Sequence, residues 1–498
     1  MDPSRYCVAI ARAGLRLPVA VVALLVVTAI GGCARDPLRE SATLDPIREC
    51  ASLFATDDAR ILHAGVRDAQ YRAIPGHPYL RIDRFHAALT TRLGEPAARA
   101  TWLRQLAAFD ATSRRIEHRN LAPAARPDAD EIAALDRCAQ RATAALLADD
   151  GAFTALLTRI RIDDNYSLWR RALGLYPLAA QFALRGVARL QAREGRYFTA
   201  SAASNPDPVN GAAYGFSDPE QPEHVAGLIA QAPRDALGVP VLDAAARTRL
   251  FAAHSPVFAV AGDDVADRIG RVSATAERLH VDVTDPVIYT YLTYTGFAGD
   301  VLAQLNYVVW FPARTARSAF DIYAGALDGI TWRVTLDSDG SVLLADTMHN
   351  CGCYYMAFPG RALEPRTDIE EFAEPLWIPQ TLPPPDPGRR VIELSAGEHY
   401  VRGIRSANDD LSVTPLRELP YEALKNLAVP EGPMRSLFGP DGLVDESARA
   451  ERFVLWPLGI PSAGAMREAG HHAIAFVGKR HFDDPDLLDR YFARVASP

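Results

Sequence analysis

The sequence has 498 residues, of which 49% are hydrophobic and 23% are charged, the composition of an ordinary globular protein with room for two or three domains. A formal net charge of −8 and the lack of any run of five or more basic residues exclude nucleic acid as an expected partner. After residue 33, no stretch of eighteen apolar residues lacks a charge, so no membrane span is predicted there.

The first 33 residues have the three parts of a secretory signal. Three arginines come first, the apolar run Leu17–Ile30 follows, and two glycines directly precede Cys33. As a helix, the fourteen residues of this run span only about 21 Å, less than the ~30 Å hydrocarbon core of a membrane. The segment is therefore predicted to be a signal rather than a membrane span.

The residues before the cysteine resemble the signal of bacterial lipoproteins. In that family the lipobox has an aliphatic residue three positions before a cysteine and a small residue directly before it, and here Ile30, Gly32 and Cys33 occupy those positions. The resemblance implies that residues 1–32 are a signal peptide. It also implies that Cys33 carries acyl chains such as palmitate and that residues 33–45 form a lipidated tether.

The implied lipid anchor determines the expected location. Each buried CH₂ group contributes about 0.8 kcal/mol, so two or three acyl chains hold a protein permanently on a membrane. We therefore expect a membrane-bound protein of the bacterial cell envelope whose body faces the periplasm. In the lipoprotein family an aspartate after the cysteine favours the inner membrane, so Ala34 favours the outer membrane here.

Six cysteines are present, and Cys7 leaves with the signal while Cys33 carries lipid. Four remain in the body of the protein: Cys50, Cys138, Cys351 and Cys353. An even number of cysteines in an oxidising compartment indicates disulfides. Cys50 and Cys138 both lie in helical patterns, and a bond between them would close a loop of about 90 residues and stabilise the fold by roughly 4–5 kcal/mol. We predict that pair.

Residues 46–195 are predicted to form a helical domain, since apolar residues recur three and four positions apart. Its most apolar part, residues 172–190, contains Pro177, Arg185 and Arg189. Such a helix either lies in the core of the domain, which we expect here, or lies on a bilayer surface.

The amino-acid composition of the chain changes twice after residue 195. Residues 196–254 are rich in Pro, Asn, Gly and Ser and are predicted to be a loop-rich connection. Residues 255–498 hold ten segments rich in β-branched and aromatic residues, among them 452–458 and 471–478, and end in a helix predicted over 483–495. The predicted fold class is α+β, with a helical N-terminal domain followed by a larger, mostly antiparallel β-rich domain.

One segment of the β-rich domain concentrates reactive side chains. Within DTMHNCGCYY, residues 346–355, the side chains of His349, Cys351 and Cys353 would lie on one face of an extended strand. Gly352 permits a bend that brings the two thiols together. The common signatures of nucleotide-binding proteins, serine hydrolases and zinc proteases are absent from the sequence.

This segment allows three kinds of chemistry. Cys351 and Cys353 can form a local disulfide, either structural or redox-labile, because strain in so small a ring makes the bond reducible. Alternatively, His349 and both thiols bind Zn²⁺ or Cu(I) together with a further ligand, for which His472 is a candidate. The sequence does not require a cofactor of either kind.

In the third interpretation Cys351 is a catalytic nucleophile, His399 is its base, and residues 408–410 orient the base. In papain-like enzymes the nucleophile begins a helix whose dipole lowers the thiol pKa. The residues after Cys351 are extended in pattern, so that support is not expected here.

Aromatic residues are dense in the first half of the β-rich domain: Tyr289, Tyr291, Tyr294, Tyr307, Trp310, Phe311 and Trp332. They would line a ligand pocket or, as strand alternation favours, pack within the sheet. Without a catalytic signature, we expect an envelope protein that binds a ligand or a protein partner. The alternative is an envelope hydrolase with a thiol or metal site around His349, Cys351 and Cys353, so whether the protein is an enzyme stays open.

Overall fold

The computed structural model describes residues 45–201, 211–217, 219–369, 372–383, 389–407 and 411–495. The predicted signal, Cys33 and residues 408–410 lie outside these ranges. The chain divides into two compact units, residues 1–53 and residues 54–498. In the first unit the described part is the start of one helix, and the second unit contains the remaining elements.

Helices dominate the N-terminal part, as predicted. They are α1 (Asp45–Ala64), α2 (Arg84–Ala88), α3 (Pro96–Asn120), α4 (Ala129–Ala148), α5 (Asp150–Arg159), α6 (Leu168–Leu173) and α7 (Tyr176–Ser201), with a hairpin of β1 (Arg72–Ile74) and β2 (His77–Ile82). Local signals define their starts. The Asp128 side chain accepts from the Glu131 backbone N–H while the Glu131 side chain accepts from that of Asp128, a capping box that begins α4.

The region expected to be loop-rich contains regular structure. A strand, β3 (Gly211–Gly215), is followed by the helices α8 (Pro222–Ala230) and α9 (Ala244–His254). Pro222 occupies the first turn of α8, where a missing N–H costs nothing, and the Asp243 side chain caps α9.

Strands dominate the C-terminal part. They are β4 (Val257–Ala261), β5 (Arg271–Ala274), β6 (Leu279–Asp282), β7 (Val287–Phe297), β8 (Asp300–Arg314), β9 (Gly325–Leu336), β10 (Val342–His349), β11 (Met356–Pro359), β12 (Leu363–Pro365), β13 (Arg390–Leu394), β14 (Val401–Ser406), β15 (Thr414–Pro415), β16 (Arg417–Pro420) and β17 (Phe492–Arg494). Two short helices, α10 (Arg452–Leu455) and α11 (Leu487–Tyr491), complete the described elements.

The largest sheet has six strands in the order β11-β10-β9-β8-β7-β16. All its neighbours are antiparallel except β16, which is parallel to β7. A hairpin turn at residues 337–340 joins β9 to β10, where the Gly340 N–H donates to the Asp337 carbonyl at 3.0 Å. With 37% helix and 26% strand, the predicted α+β class is confirmed.

A second sheet has five strands in the order β14-β13-β4-β3-β15. It is mixed, because β13 is parallel to β4 and β15 is parallel to β3. This sheet packs with α8 and α9 on one face of the six-stranded sheet, in a core that includes Phe258, Ile392, Tyr307 and Trp332.

The other face of the six-stranded sheet carries a separate apolar layer. There Val308 and Trp310 of β8 pack with Leu424, Met466 and the Cys351 side chain. Residues 307 and 308 thus point to opposite layers, as strand alternation requires. The aromatic residues of the sheet are therefore mostly core, and this layer positions the thiol segment.

Two predicted strands and one predicted helix differ from the structure. Residues 452–458 form α10 and a short 3-10 turn, because Pro457 lacks the N–H that a strand would donate. Residues 471–478 form no strand beyond one bridge between Ala473 and His481. The helix predicted over 483–495 is limited to α11, since Phe492 leaves it to begin β17 against β12.

The expectation that residues 172–190 are a core helix is wrong, because Ala180 is the only residue of this stretch that is buried. Leu178 and Phe182 of α7 are 62% and 70% exposed. Among the described helices, none is both long and apolar enough to cross a membrane.

Candidate functional site

β10 and β11 are joined by a turn that contains the two thiols. The Gly352 N–H donates to the His349 carbonyl, with N and O 2.7 Å apart, and the His349 N–H donates to the Cys353 carbonyl at 3.0 Å. Gly352 has φ 90°, and a Cβ there would lie 2.5 Å from the Ala473 carbonyl oxygen. Only glycine fits this position. The segment is therefore a turn, and the prediction of an extended strand through Cys353 is wrong.

Cys351 and Cys353 are free thiols, one residue apart in the turn. Cys351 is 3% exposed, whereas Cys353 is half-buried. Cys351 Sγ accepts from the backbone N–H of Cys353 at 3.4 Å. The interaction with the neighbouring thiol lowers the pKa of Cys351 and raises the pKa of Cys353 well above its usual value, and the nearby charge of Arg449 also lowers the pKa of Cys351. Cys351 is thus the thiol that ionises first.

Asp328, a fully buried carboxylate of β9, connects the turn to three cationic or imidazole groups. Its Oδ2 lies 2.8 Å from Nδ1 of His399, and its Oδ1 lies 3.5 Å from Nδ1 of His349 and 3.3 Å from Nη2 of Arg449. Burial by itself would raise the pKa of Asp328, but Arg449 and His349 hold it well below its usual value. The carboxylate stays charged.

His399 is held rigidly between two carboxylates. Its ring stacks on Phe311 with the centroids 3.8 Å apart, and its Nε2 lies 3.3 Å from Oδ1 of Asp267. Burial opposes the charged imidazolium, but hydrogen bonds to Asp267 and Asp328 raise the pKa of His399 overall. Both ring nitrogens thus face acids, and neither is directed at a thiol. The base role predicted for His399 has no geometric support.

His349 differs from His399 in its charge preference. Burial lowers the pKa of His349, which favours the neutral ring. That ring meets Tyr354 edge to face at 4.8 Å, and Tyr354 meets Tyr400 at 4.7 Å. Arg314 donates to the hydroxyls of both tyrosines, at 3.3 and 2.8 Å. The turn is therefore fixed on one side by aromatic rings and a buried guanidinium.

Backbone strain concentrates around this site. Leu327, Tyr354 and His399 have φ of 57°, 58° and 55°, in the left-handed region that side chains with a Cβ rarely occupy. Leu327 directly precedes Asp328, Tyr354 directly follows Cys353, and His399 carries the second imidazole of the site. Strained residues persist where the surrounding structure holds them and cluster at functional sites. This concentration makes the thiol turn the candidate functional site.

The structure does not bring together the residues suggested for a metal. His472 Nε2 lies 3.2 Å from the Asn350 carbonyl oxygen, and burial together with the charge of Arg467 lowers the pKa of His472 to about 3. Within the described ranges, no group of three or more His, Cys, Asp or Glu side chains is arranged to hold a metal ion. Zinc or copper binding by His349, Cys351 and Cys353 therefore gains no support from the geometry.

The other cysteines of the body have a different state. Cys50 and Cys138 are both disulfide-bonded, as the sequence predicts for this pair. The oxidised pair and the free thiols of the turn thus coexist in one chain. Cys33, the predicted lipid anchor, lies outside the described residues.

Sequence reasoning missed half of the site. Asp267, Asp328, Arg314 and Arg449 lie far apart along the chain, and no fixed spacing connects them. One signal was available, since Asp328 interrupts an apolar strand and a charge in such a strand needs a buried partner. Searches against family models, curated proteins and solved structures found no match.

Proposed function

We propose that this protein is a lipid-anchored protein of the bacterial cell envelope that carries out thiol–disulfide exchange through Cys351 and Cys353. The observation that supports the exchange chemistry is the placement of two free thiols one residue apart in one strained turn, where Cys351 Sγ accepts from the Cys353 N–H, with opposite pKa shifts. Such asymmetry is useful because exchange is fastest when the attacked sulfur is accessible and the leaving thiol has a low pKa.

The proposed reaction starts from the oxidised pair. A thiolate of a substrate dithiol attacks Sγ of Cys353, the less buried residue of the pair, and the bond to Cys351 breaks. Cys351 leaves as a thiolate near Arg449, which stabilises its charge. The second substrate thiolate then attacks the mixed disulfide, and Cys353 leaves and takes a proton. Two electrons pass from the substrate, which becomes a disulfide, to the cysteine pair. Attack on a small-molecule or protein disulfide reverses these steps and regenerates the oxidised form.

The neighbouring imidazoles support the turn rather than the electron transfer. His399 and His349 both contact Asp328, whose charge is balanced by Arg449. Arg449 also donates to the Leu327 carbonyl at 3.0 Å, directly beside the strained backbone. The hydrolase alternative would require a base that faces Cys351, and both nitrogens of His399 are occupied by acids.

Single-cysteine variants test the exchange. Cys351→Ser leaves the accessible thiol without its resolving partner, so reaction with oxidised glutathione should trap a mixed disulfide at Cys353. Cys353→Ser leaves only the buried thiol and should form the mixed disulfide at least about tenfold more slowly. Intact-mass and peptide mass spectrometry measure both products, and the wild type should instead close its internal disulfide and release two molecules of reduced glutathione. Equal trapping by the two variants, or a wild-type pair inert to oxidised glutathione, would contradict the proposal.

The lipid anchor has a separate test. Cys33→Ala should block processing of the signal and retention of the processed protein in the membrane fraction, since the acylated side chain is removed. Fractionation of cells and the intact mass of the product measure both effects. A variant that is processed normally and remains with the membranes would show that Cys33 is not the anchor.

Ligand binding is a second candidate function, because a groove of about 470 Å³ is open at the surface. Residues 64–66 and 433–439 line it, together with Asn120, Leu279 and the Arg435–Glu446 ion pair. Its volume falls within the range of small-molecule sites. Met434, 38% exposed, lies in the wall. A small molecule that raises the melting temperature of the wild type but not of Met434→Arg would support binding there, and stabilisation of both alike would contradict it.

A further inference from the structure

The junction of α6 and α7 exposes an unusual amount of apolar surface. Its exposed side chains are Leu168, Trp169, Leu173, Leu175, Leu178 and Phe182, each between 62% and 71% accessible. We call residues 168–182 the α6–α7 corner. Single exposed apolar residues are normal, but a contiguous group of large ones marks a contact surface. Phe453 and Val454 of α10, on the segment that packs against this corner, are also exposed.

The corner is a fixed structure rather than a loose end of the chain. The Ser167 N–H donates to the Gly459 carbonyl at 2.7 Å, and a Cβ on Gly174 would lie 2.5 Å from Pro457. Arg171 is buried beneath it, donates to the Leu458 carbonyl at 2.9 Å and stacks on Tyr166. Arg171 and the Ser167 N–H therefore face inward, while the exposed leucines, Trp169 and Phe182 face solvent. Its apolar exposure is a property of the folded state.

The α6–α7 corner and the part of α7 that continues from it carry positive charge. Residues 165–193 contain five arginines and no Asp or Glu. Arg171 is buried and Arg193 is ion-paired with Glu194, which leaves Arg170, Arg185 and Arg189 as the charges of this surface. Arg170 lies over the ring of Trp169 at 5.3 Å, and Arg185 lies over the ring of Phe182 at 5.9 Å. Neither Arg185 nor Arg189 has an acidic partner in the part of the chain that the structure describes. Unpaired arginines beside exposed apolar rings are typical of helices that bind anionic lipid surfaces.

Along α7, the exposed apolar side chains come first and the arginines follow further along the helix. Leu178 and Phe182 are one turn apart, and Arg185 and Arg189 continue on the same exposed face. At 1.5 Å per residue, Arg189 lies about 10 Å along the helix from Phe182. The apolar end can thus enter the acyl boundary of a bilayer while the arginines remain at the level of the phosphates.

We propose that the α6–α7 corner inserts into the surface of an anionic lipid bilayer, the membrane to which Cys33 anchors the chain. The charge complementarity between the arginines and an anionic bilayer does not depend on the proposed function. The identity of the membrane does, because it rests on the proposed lipid anchor. Eleven residues lie between Cys33 and Asp45, and the twelve Cα–Cα steps that join them reach at most about 40 Å. The body is therefore kept close to the headgroups, so that a weakly binding surface is sufficient. The anchor and the corner together would make a two-point attachment.

The test uses the full-length protein reconstituted into vesicles of phosphatidylethanolamine and phosphatidylglycerol with brominated acyl chains, which quench tryptophan only inside the bilayer. The difference between wild type and Trp169→Phe isolates the signal of Trp169. We expect that signal to be quenched, and Leu178→Asp/Phe182→Asp to reduce the quenching about threefold or more. The matched control is Val241→Asp/Val265→Asp, which places the same charges at residues 52% and 55% exposed elsewhere. It should leave the quenching unchanged.

The outcomes separate this proposal from the lipid anchor. Intact mass shows whether Cys33 is acylated in each preparation. A Trp169 that remains unquenched in an acylated protein would overturn the insertion while leaving the anchor intact. Quenching without acylation would support insertion and reject the anchor. The corner could instead be shielded from solvent only in the absence of vesicles, in oligomers that form as the protein concentration rises. That result would show that a second copy of the chain covers the corner, and it would also overturn the proposal.

Discussion

At the scale of single residues, Glu468 shows what burial does to a carboxyl group beside a charged partner. Lys425 Nζ lies 2.8 Å from both Oδ1 of Asp68 and Oε1 of Glu468, and all three side chains are at most 2% exposed. Burial raises the pKa of Glu468 to about 8, even though Lys425 acts in the opposite direction. One lysine cannot balance two buried carboxylates, so Glu468 keeps its proton near neutral pH.

This shift predicts a specific pH dependence of stability. An unfolded glutamate has a pKa of about 4.3, so above that pH the native state holds a proton that the unfolded state has released. The free energy of unfolding should therefore fall as the pH rises from about 4.3 to about 8. Glu468→Gln removes this contribution, and its urea midpoint should fall less than that of the wild type between about pH 5 and pH 8. Parallel curves for the two proteins would contradict the assignment.

The candidate site shows which functional residues can be identified from a sequence pattern and which cannot. His349, Cys351 and Cys353 could be found from the sequence because rare reactive residues lie within five positions of one another. Their environment could not be found this way. Asp328 and Arg449 are buried against each other only because the folded chain brings β9 and residues 445–451 together. Long-range charge pairing leaves no periodic signal in a single sequence.

At the scale of elements, the thiol turn depends on one glycine. Gly352 combines φ 90° with a close approach to the Ala473 carbonyl oxygen. Gly299, in the turn between β7 and β8, has φ 91° and no atom within 4 Å of a built Cβ. A side chain at either position would therefore impose the same backbone strain. Only at Gly352 would its Cβ also collide with a neighbouring atom.

This pair of glycines gives a controlled prediction. Gly299→Ala should lower the free energy of unfolding by about 1 kcal/mol, from the positive φ alone. Gly352→Ala should cost about 2 kcal/mol more, because the turn must move away from Ala473. Guanidinium denaturation measures both variants. Equal losses would show that the turn adjusts freely, in which case it could not hold the two thiols in place.

Elements with strong local signals in the sequence form where those signals lie. The β-branched and aromatic run of residues 287–297 forms β7, and α4 begins at the capping box of Asp128 and Glu131. The strand prediction for residues 471–478 was wrong because several of their backbone groups hydrogen-bond to side chains of distant segments. The Phe476 N–H donates to Glu374, and the Ala475 N–H donates to the Tyr166 hydroxyl. Apolar composition predicts burial, but it does not specify a strand partner.

At the scale of the whole second unit, one tyrosine connects the helical part to the C-terminal segment. The buried Tyr166 hydroxyl lies 2.8 and 2.9 Å from the carbonyl oxygens of Ala475 and Arg480, and accepts from their N–H groups at 3.3 and 3.2 Å. Four backbone groups separated from it by more than 300 residues thus depend on one side-chain oxygen.

Removal of that oxygen should be costly. Tyr166→Phe keeps the ring but leaves buried backbone groups without a partner, and we expect a loss of about 2–3 kcal/mol in the free energy of unfolding. Tyr197→Phe is the matched control, since that tyrosine is 43% exposed and should lose almost nothing. Thermal and urea denaturation compare the two. A Tyr166→Phe variant as stable as the control would mean that solvent replaces the hydroxyl.

The strand order of the five-stranded sheet also determines when the chain can finish folding. Val257 of β4 pairs with Val391 of β13, and Tyr214 of β3 pairs with Thr414 of β15, separations of 134 and 200 residues. The helices and the β7–β10 meander depend on local contacts and can form early, whereas these parallel pairs form only after long loops close. Until β13 is made, one edge of β4 is unpaired and able to recruit a strand from another molecule. A chain truncated before Arg390 should therefore keep the helices α1 to α9 and aggregate through β4.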